Sequence, residues 1–316
     1  MRFGDVGYMF QDGGVFMYVI ALIFILGLLV TTICGVFTLL GRQIPAVVWY
    51  VLPAFGLVVT EVSVISGYVM SIDAIAVVAP EQKMTAAAAG MSRVLIAHWF
   101  GYLCFALSIL YASFFGALAC VIVRAPDKRW KLLRSLALGA LWGVVLIVVL
   151  GIQLFLDVAP LWNIVLLICM FPAWLMLGAR STEFAPERDR LTFARGFTVW
   201  ALAWSCLAIG LAGYGAGWSM ALSGLASGTP ETQMMLYAMG SHNAQGHLWI
   251  GVGTMLVTFL GALLLMGRQM RIGFKEGQLL KGTLVTILFL VYVAVFLVRV
   301  YFGSSLSEVI ELSAAM

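Results

Sequence analysis

The 316 residues are 63% hydrophobic and only 10% charged, with a mean hydropathy of +1.06. A chain of this kind turns apolar side chains toward lipid, which excludes a soluble globular domain and predicts an integral membrane protein. The net charge of +4 is accounted for by basic loops between apolar runs and implies no nucleic-acid partner.

The N-terminus carries Asp5 and Asp12 before its apolar run and has no small-residue cleavage site, so the first helix is expected to be retained. Apolar runs near the roughly 20 residues needed to cross a bilayer follow at 14–40, 45–75, 91–123, 132–157, 160–179, 196–225, 246–267 and 280–302. Lipid admits only helices or closed barrels, and these runs are too long for barrel strands. The expected fold is therefore all-α, with about eight transmembrane helices.

Basic residues between the runs give the orientation. Arg42 lies in the first loop; Arg124, Lys128, Arg129, Lys131 and Arg134 in the third; Arg180, Arg188, Arg190 and Arg195 in the fifth; Arg268, Arg271, Lys275 and Lys281 in the seventh. All of these loops fall on one side. The positive-inside rule makes that side cytoplasmic and both termini external. Cys34, Cys104, Cys120, Cys169 and Cys206 all fall inside apolar runs and read as small packing residues, without metal-finger spacing or a disulfide framework.

One stretch occurs twice. An offset of 150 pairs residues 67–101 with 217–251 and gives ten identities in 35 ungapped positions, among them Gly67 with Gly217, Pro80 with Pro230, Gly90 with Gly240, Trp99 with Trp249 and Gly101 with Gly251. Agreement at Gly, Pro and Trp reflects specific backbone and volume demands rather than shared hydrophobicity, and marks a duplicated unit. Four helices per copy is an even number, so the copies share one polarity: residues 1–157 form a first four-helix repeat and 158–316 a diverged second one. The longest stretches outside the runs are the corresponding external segments 76–90 and 226–245, and no soluble part is left to host an enzyme's chemistry. An ion-conducting or structural subunit is expected rather than an enzyme.

Three segments of the first repeat carry a resemblance. They are FQDGGVFMYVIALIFILGLLV, LPAFGLVVTEVSVISG from Leu52 to Gly67, and GMSRVLIAHWFGYLCFALSILY. Together they resemble the membrane helices of the MotA, TolQ and ExbB proton-channel superfamily, here across 14–123. Gly56, Leu57 and Thr60 fit that family's Gly-Leu-x-Gly-Thr pattern on its second helix; Gly90, Leu95 and Gly101 fit the start of its third. The chain departs from the family in three places. Only the stretch around Gly41 to Ile44 separates the first two helices, so the family's cytoplasmic helical segment is missing. Val59 stands in place of the motif glycine before Thr60, and Ala97-His98 replaces the pore-facing Thr. The resemblance implies a subunit of the bacterial cytoplasmic membrane, in a homo- or hetero-oligomer, that surrounds a partner's single ExbD/TolR-like helix.

Ionisable groups inside a span cost about 2.5–3.5 kcal/mol on insertion scales and seldom persist without a partner or a role. Glu61 sits near the middle of the second run, beside Thr60 and two residues from Ser63. By alternating between neutral and charged forms it could relay protons, with Thr60 and Ser63 along the path; the competing reading is a neutral carboxyl bonded between helices. Asp73 and Arg93 flank the same external loop and could pair across it as a structural tie.

The histidines give a rival reading. His98 lies near the external end of the third run, and His242 and His247 begin the seventh, its counterpart in the repeat. Facing imidazoles could bind haem b or copper, as in a membrane anchor of a respiratory or metal-containing complex. No cofactor is firmly implied, because the five-residue spacing of His242 and His247 suits one helical face poorly. The copies also differ in a directed way: Glu61 becomes Leu211, Asp73 becomes Ser223 and Arg93 becomes Asn243. Ion chemistry is expected in the first copy.

Overall fold

A computed structural model describes residues 13–40, 46–79, 82–123, 191–227 and 229–275, with isolated positions at 10, 291, 294, 295 and 298. The described residues are almost entirely helical and contain no strand. Among the described residues five long helices run in chain order: α1 Val15–Leu39, α2 Ala46–Ala76, α3 Lys83–Val123, α4 Leu191–Ser227 and α5 Pro230–Lys275. Four stretches among them are long and apolar enough to cross a bilayer: Val15–Phe37, Val51–Ala76, Lys83–Ala112 and Trp204–Ser227. The chain is thus a multi-pass membrane protein. The apolar runs 132–157, 160–179 and 280–302 lie essentially outside the described residues.

Two helices begin well before their apolar runs. The segments 76–90 and 226–245, expected as external loops, are mostly helical among the described residues, which leave the α-helices only at 77–79, 82 and 229. Local propensity explains the change. Residues 83–90 (KMTAAAAG) are rich in alanine, the best helix former, so the helix starts ahead of the bulky apolar residues that mark the run in the sequence. In the second copy Thr229 accepts backbone bonds from the amides of Thr232 and Gln233 at 2.9 and 3.0 Å, and Pro230 occupies the first helical position, where its missing N–H is not needed.

The helices pack in a row, α2 on α3, α3 on α4 and α4 on α5, with α1 lying across α2 and α3. Burial grades accordingly, from 33% of the spanning window in α1 and α2 to 61% in α3 and 67% in α4. The outer side of α1 presents Tyr18, Leu22, Ile25, Leu29, Ile33 and Val36, an exposed apolar stripe at helical spacing suited to acyl chains. Its inner side is tied down by the Thr32 and Tyr111 hydroxyls, 3.0 Å apart. The core between α2, α3 and α4 is built from Val64, Tyr68, Val94, Leu95, Leu222 and Leu225.

Close approach in lipid relies on small residues, since lipid tails are as apolar as leucine and burial alone does not drive helices together. In the hairpin α2–α3, Gly101 meets Thr60, Gly67 meets Val94 and Gly90 meets Ser71. In α4–α5, Gly251 meets Gly210, Gly217 meets Ala244 and Gly240 meets Ala221. The second set is the first with 150 added to every number. Both hairpins therefore share one antiparallel register, and the sequence repeat over 67–101 and 217–251 is a repeat of helix-to-helix contacts.

Candidate functional site: a buried polar cluster at the hairpin joint

The α2–α3 register brings Thr60 against Gly101, where no side chain intervenes, so the flanking residues of the two helices reach each other. Tyr102 uses that proximity. Its hydroxyl donates to Glu61 Oε1 at 2.5 Å, the short distance typical of a hydroxyl on a carboxyl group. Both are sealed from the surface, Glu61 with 0% and Tyr102 with 1% exposure. Thr60 is equally buried and donates to the Gly56 carbonyl at 2.9 Å, one turn back on its own helix; Ser63 is buried one turn on.

His98 extends the cluster toward the second hairpin. One turn before Tyr102 on α3, it meets that ring edge-on with centroids 4.6 Å apart. It is also fully buried, and its Nε2 lies 3.1 Å from the Leu211 carbonyl of α4. A carbonyl only accepts, so Nε2 is the nitrogen that carries hydrogen in this contact. Gly215 makes room for the ring: a Cβ there would collide with it. Below this level the α3–α4 joint is fixed by Ser92 and Ser219, each donating its hydroxyl to the other's backbone carbonyl at 2.9 Å.

The three histidines are not brought to one point. His247 is buried against Gly213 of α4, whereas His98 lies against Gly215. Two residues apart is roughly 200° around a helix, so the α4 backbone stands between the two rings. His242 is exposed, and no group of three metal-ligating side chains occurs among the described residues. This arrangement does not fit a bis-histidine site. Asp73 and Arg93 are both exposed, and no ion pair joins them among the described residues.

Tyr102 is the member that sequence reasoning missed. A tyrosine in an apolar run is unremarkable by itself, and only the pairing of Thr60 with Gly101 sets it beside Glu61. The second hairpin has the same joint without these five polar side chains, and His247, buried against Gly213, is its own polar group there. Thr60, Glu61, Ser63, His98 and Tyr102 correspond to Gly210, Leu211, Gly213, Leu248 and Val252. Compared with protein-family models, curated proteins and solved structures, the chain matches none of them.

Proposed function

We propose that the protein is a membrane subunit of a proton-conducting or motor-type assembly, with Glu61 as the proton carrier and Thr60, Ser63, Tyr102 and His98 lining its route. The observation that carries this reading is the fully buried Glu61 held by the Tyr102 hydroxyl at 2.5 Å. A carboxyl group in a span is expensive, and the second copy keeps the same helix joint with Leu211 and Val252 in their place. The fold does not require the acid.

The proposed chemistry is proton transfer without a covalent step. As an anion, Glu61 accepts the Tyr102 hydroxyl bond; when it takes up a proton, its second oxygen can donate to a neighbour and release the charge onward. Tyr102 orients the carboxyl, and His98, one turn along α3, offers the next group able to hold a proton. The likeness of 14–123 to the MotA, TolQ and ExbB helices supports the same reading. In the architecture proposed with it, eight helices form two parallel four-helix repeats in the bacterial cytoplasmic membrane, both termini external, around a partner's ExbD/TolR-like helix.

Glu61→Gln is the decisive variant, because it keeps volume and hydrogen bonding while removing the titrating group. Proton flux in inverted vesicles or proteoliposomes is expected to fall to background, with expression and assembly size unchanged. Flux at the original rate would remove Glu61 from the path.

A further inference from the structure

The two hairpins meet through an interface that has been used only once. Under the offset of 150, α3 corresponds to α5 and α2 to α4. The joint inside the chain pairs α3 with α4, while among the described residues their counterparts, α5 and α2, form no comparable joint. A contact between two unlike faces of equivalent units is heterologous and leaves one copy of each face unfilled.

Among the described residues, exposure marks the two faces that no helix covers. Ala88, Ser92 and Leu95 are buried on α3, and their counterparts Ala238, His242 and Gln245 are exposed on α5. Trp99 lies against Gly215, whereas its counterpart Trp249 is 66% exposed. On the other side, Ala212 and Ser219 are buried in α4, and their counterparts Val62 and Val69 on α2 are 43% and 38% exposed. His242, Gln245 and Trp249, three and four residues apart, fall on one stripe of α5, the stripe that Ser92, Leu95 and Trp99 occupy on α3.

We propose that the α5 face carrying His242, Gln245 and Trp249 docks onto the α2 face carrying Val62, Ile65 and Val69 of a second copy of this chain, repeating between molecules the contact that α3 makes with α4 inside one. The shared register sets the pairs. His242 comes beside Val69 as Ser92 lies beside Ser219, and Trp249 comes over Ile65 as Trp99 lies over Gly215. Val62 and Ile65, branched residues in place of Ala212 and Gly215, hold the helices farther apart, so the joint between copies is looser than the one within. Because each copy offers one α5 face and one α2 face, the contact closes a ring or extends a row. The inference rests on the contact register of the repeat and stands whether or not Glu61 moves protons.

Paired cysteines test it in membranes, in a chain whose five native cysteines are replaced. Val69→Cys with His242→Cys is expected to give disulfide-linked dimers and higher species on mild oxidation, and Ser92→Cys with Ser219→Cys a bond within one chain that reports a folded background. Co-expressed chains with different tags, one bearing Val69→Cys and the other His242→Cys, should yield dimers carrying both tags. Products confined to monomers while the Ser92–Ser219 control closes would overturn the proposal, as would equal cross-linking of Val69→Cys with itself, which would mark a two-fold contact instead. Native mass spectrometry of the unaltered protein is a second readout: several copies are expected, and a monomer throughout would also overturn it.

Discussion

Tyr102 bears on how Glu61 can behave, because its hydroxyl donates to the carboxyl within the buried cluster. Tyr102→Phe keeps the ring against His98 and removes only the hydroxyl. Hydrogen bonds between helices in membranes are worth about 0.6 kcal/mol, up to roughly 1.7. The variant should therefore fold, with a modest loss in thermal stability, while proton flux in vesicles falls by about tenfold, the factor that corresponds to 1.4 kcal/mol on a barrier. Unchanged flux would take the hydroxyl out of the route. Glu61 and His98 are legible in the sequence as ionisable groups in apolar runs, and their burial agrees with the cost of placing them there. Thr60 and Ser63 are legible as neighbours of Glu61 on the same run, whereas Tyr102, a tyrosine on another run, is not. The link from Glu61 to Tyr102 and that from His98 to the Leu211 carbonyl depend on helix registers that no local pattern encodes.

Between helices, glycine decides which surfaces can meet. A Cβ on Gly251 would stand 2.6 Å from the Gly210 Cα, a clash with backbone that no rotamer change can relieve. Gly27 is different, with its nearest neighbours at 3.9 Å, an ordinary contact. Alanine is favoured over glycine in a helix interior by about 1 kcal/mol. The two substitutions are thus expected to have opposite signs: Gly251→Ala lowers the unfolding midpoint in detergent, and Gly27→Ala leaves it unchanged or raises it. A lowered midpoint for both would show that backbone freedom, not contact, is what these positions need. The positions of the first two helices follow the apolar runs closely, because in lipid the run and the helix are nearly the same object. The starts of α3 and α5 do not, because a helix continues on alanine propensity and caps where the bulky apolar residues run out, as at 83–90 and at Thr229–Pro230.

For the molecule as a whole, the side of the membrane on which each end lies is the most direct check on the proposed architecture. Reporter fusions should place both termini outside and the basic segment around Arg129 in the cytoplasm. Termini on opposite sides would mean an odd number of spans and would end the two-by-four arrangement. The repeat is visible in the sequence as spaced Gly, Pro and Trp. Its meaning is not, since identities alone do not say that Gly101 meets Thr60 as Gly251 meets Gly210. The joint between Ser92 and Ser219 has a mechanical consequence. Each hydroxyl reaches across to the other helix's backbone, so sliding α3 past α4 by one turn, about 5.4 Å, breaks both bonds together, whereas tilting the helices about that point strains neither. The pair acts as a pivot. At this level rocking of α3 on α4 keeps both bonds, and a piston stroke loses both.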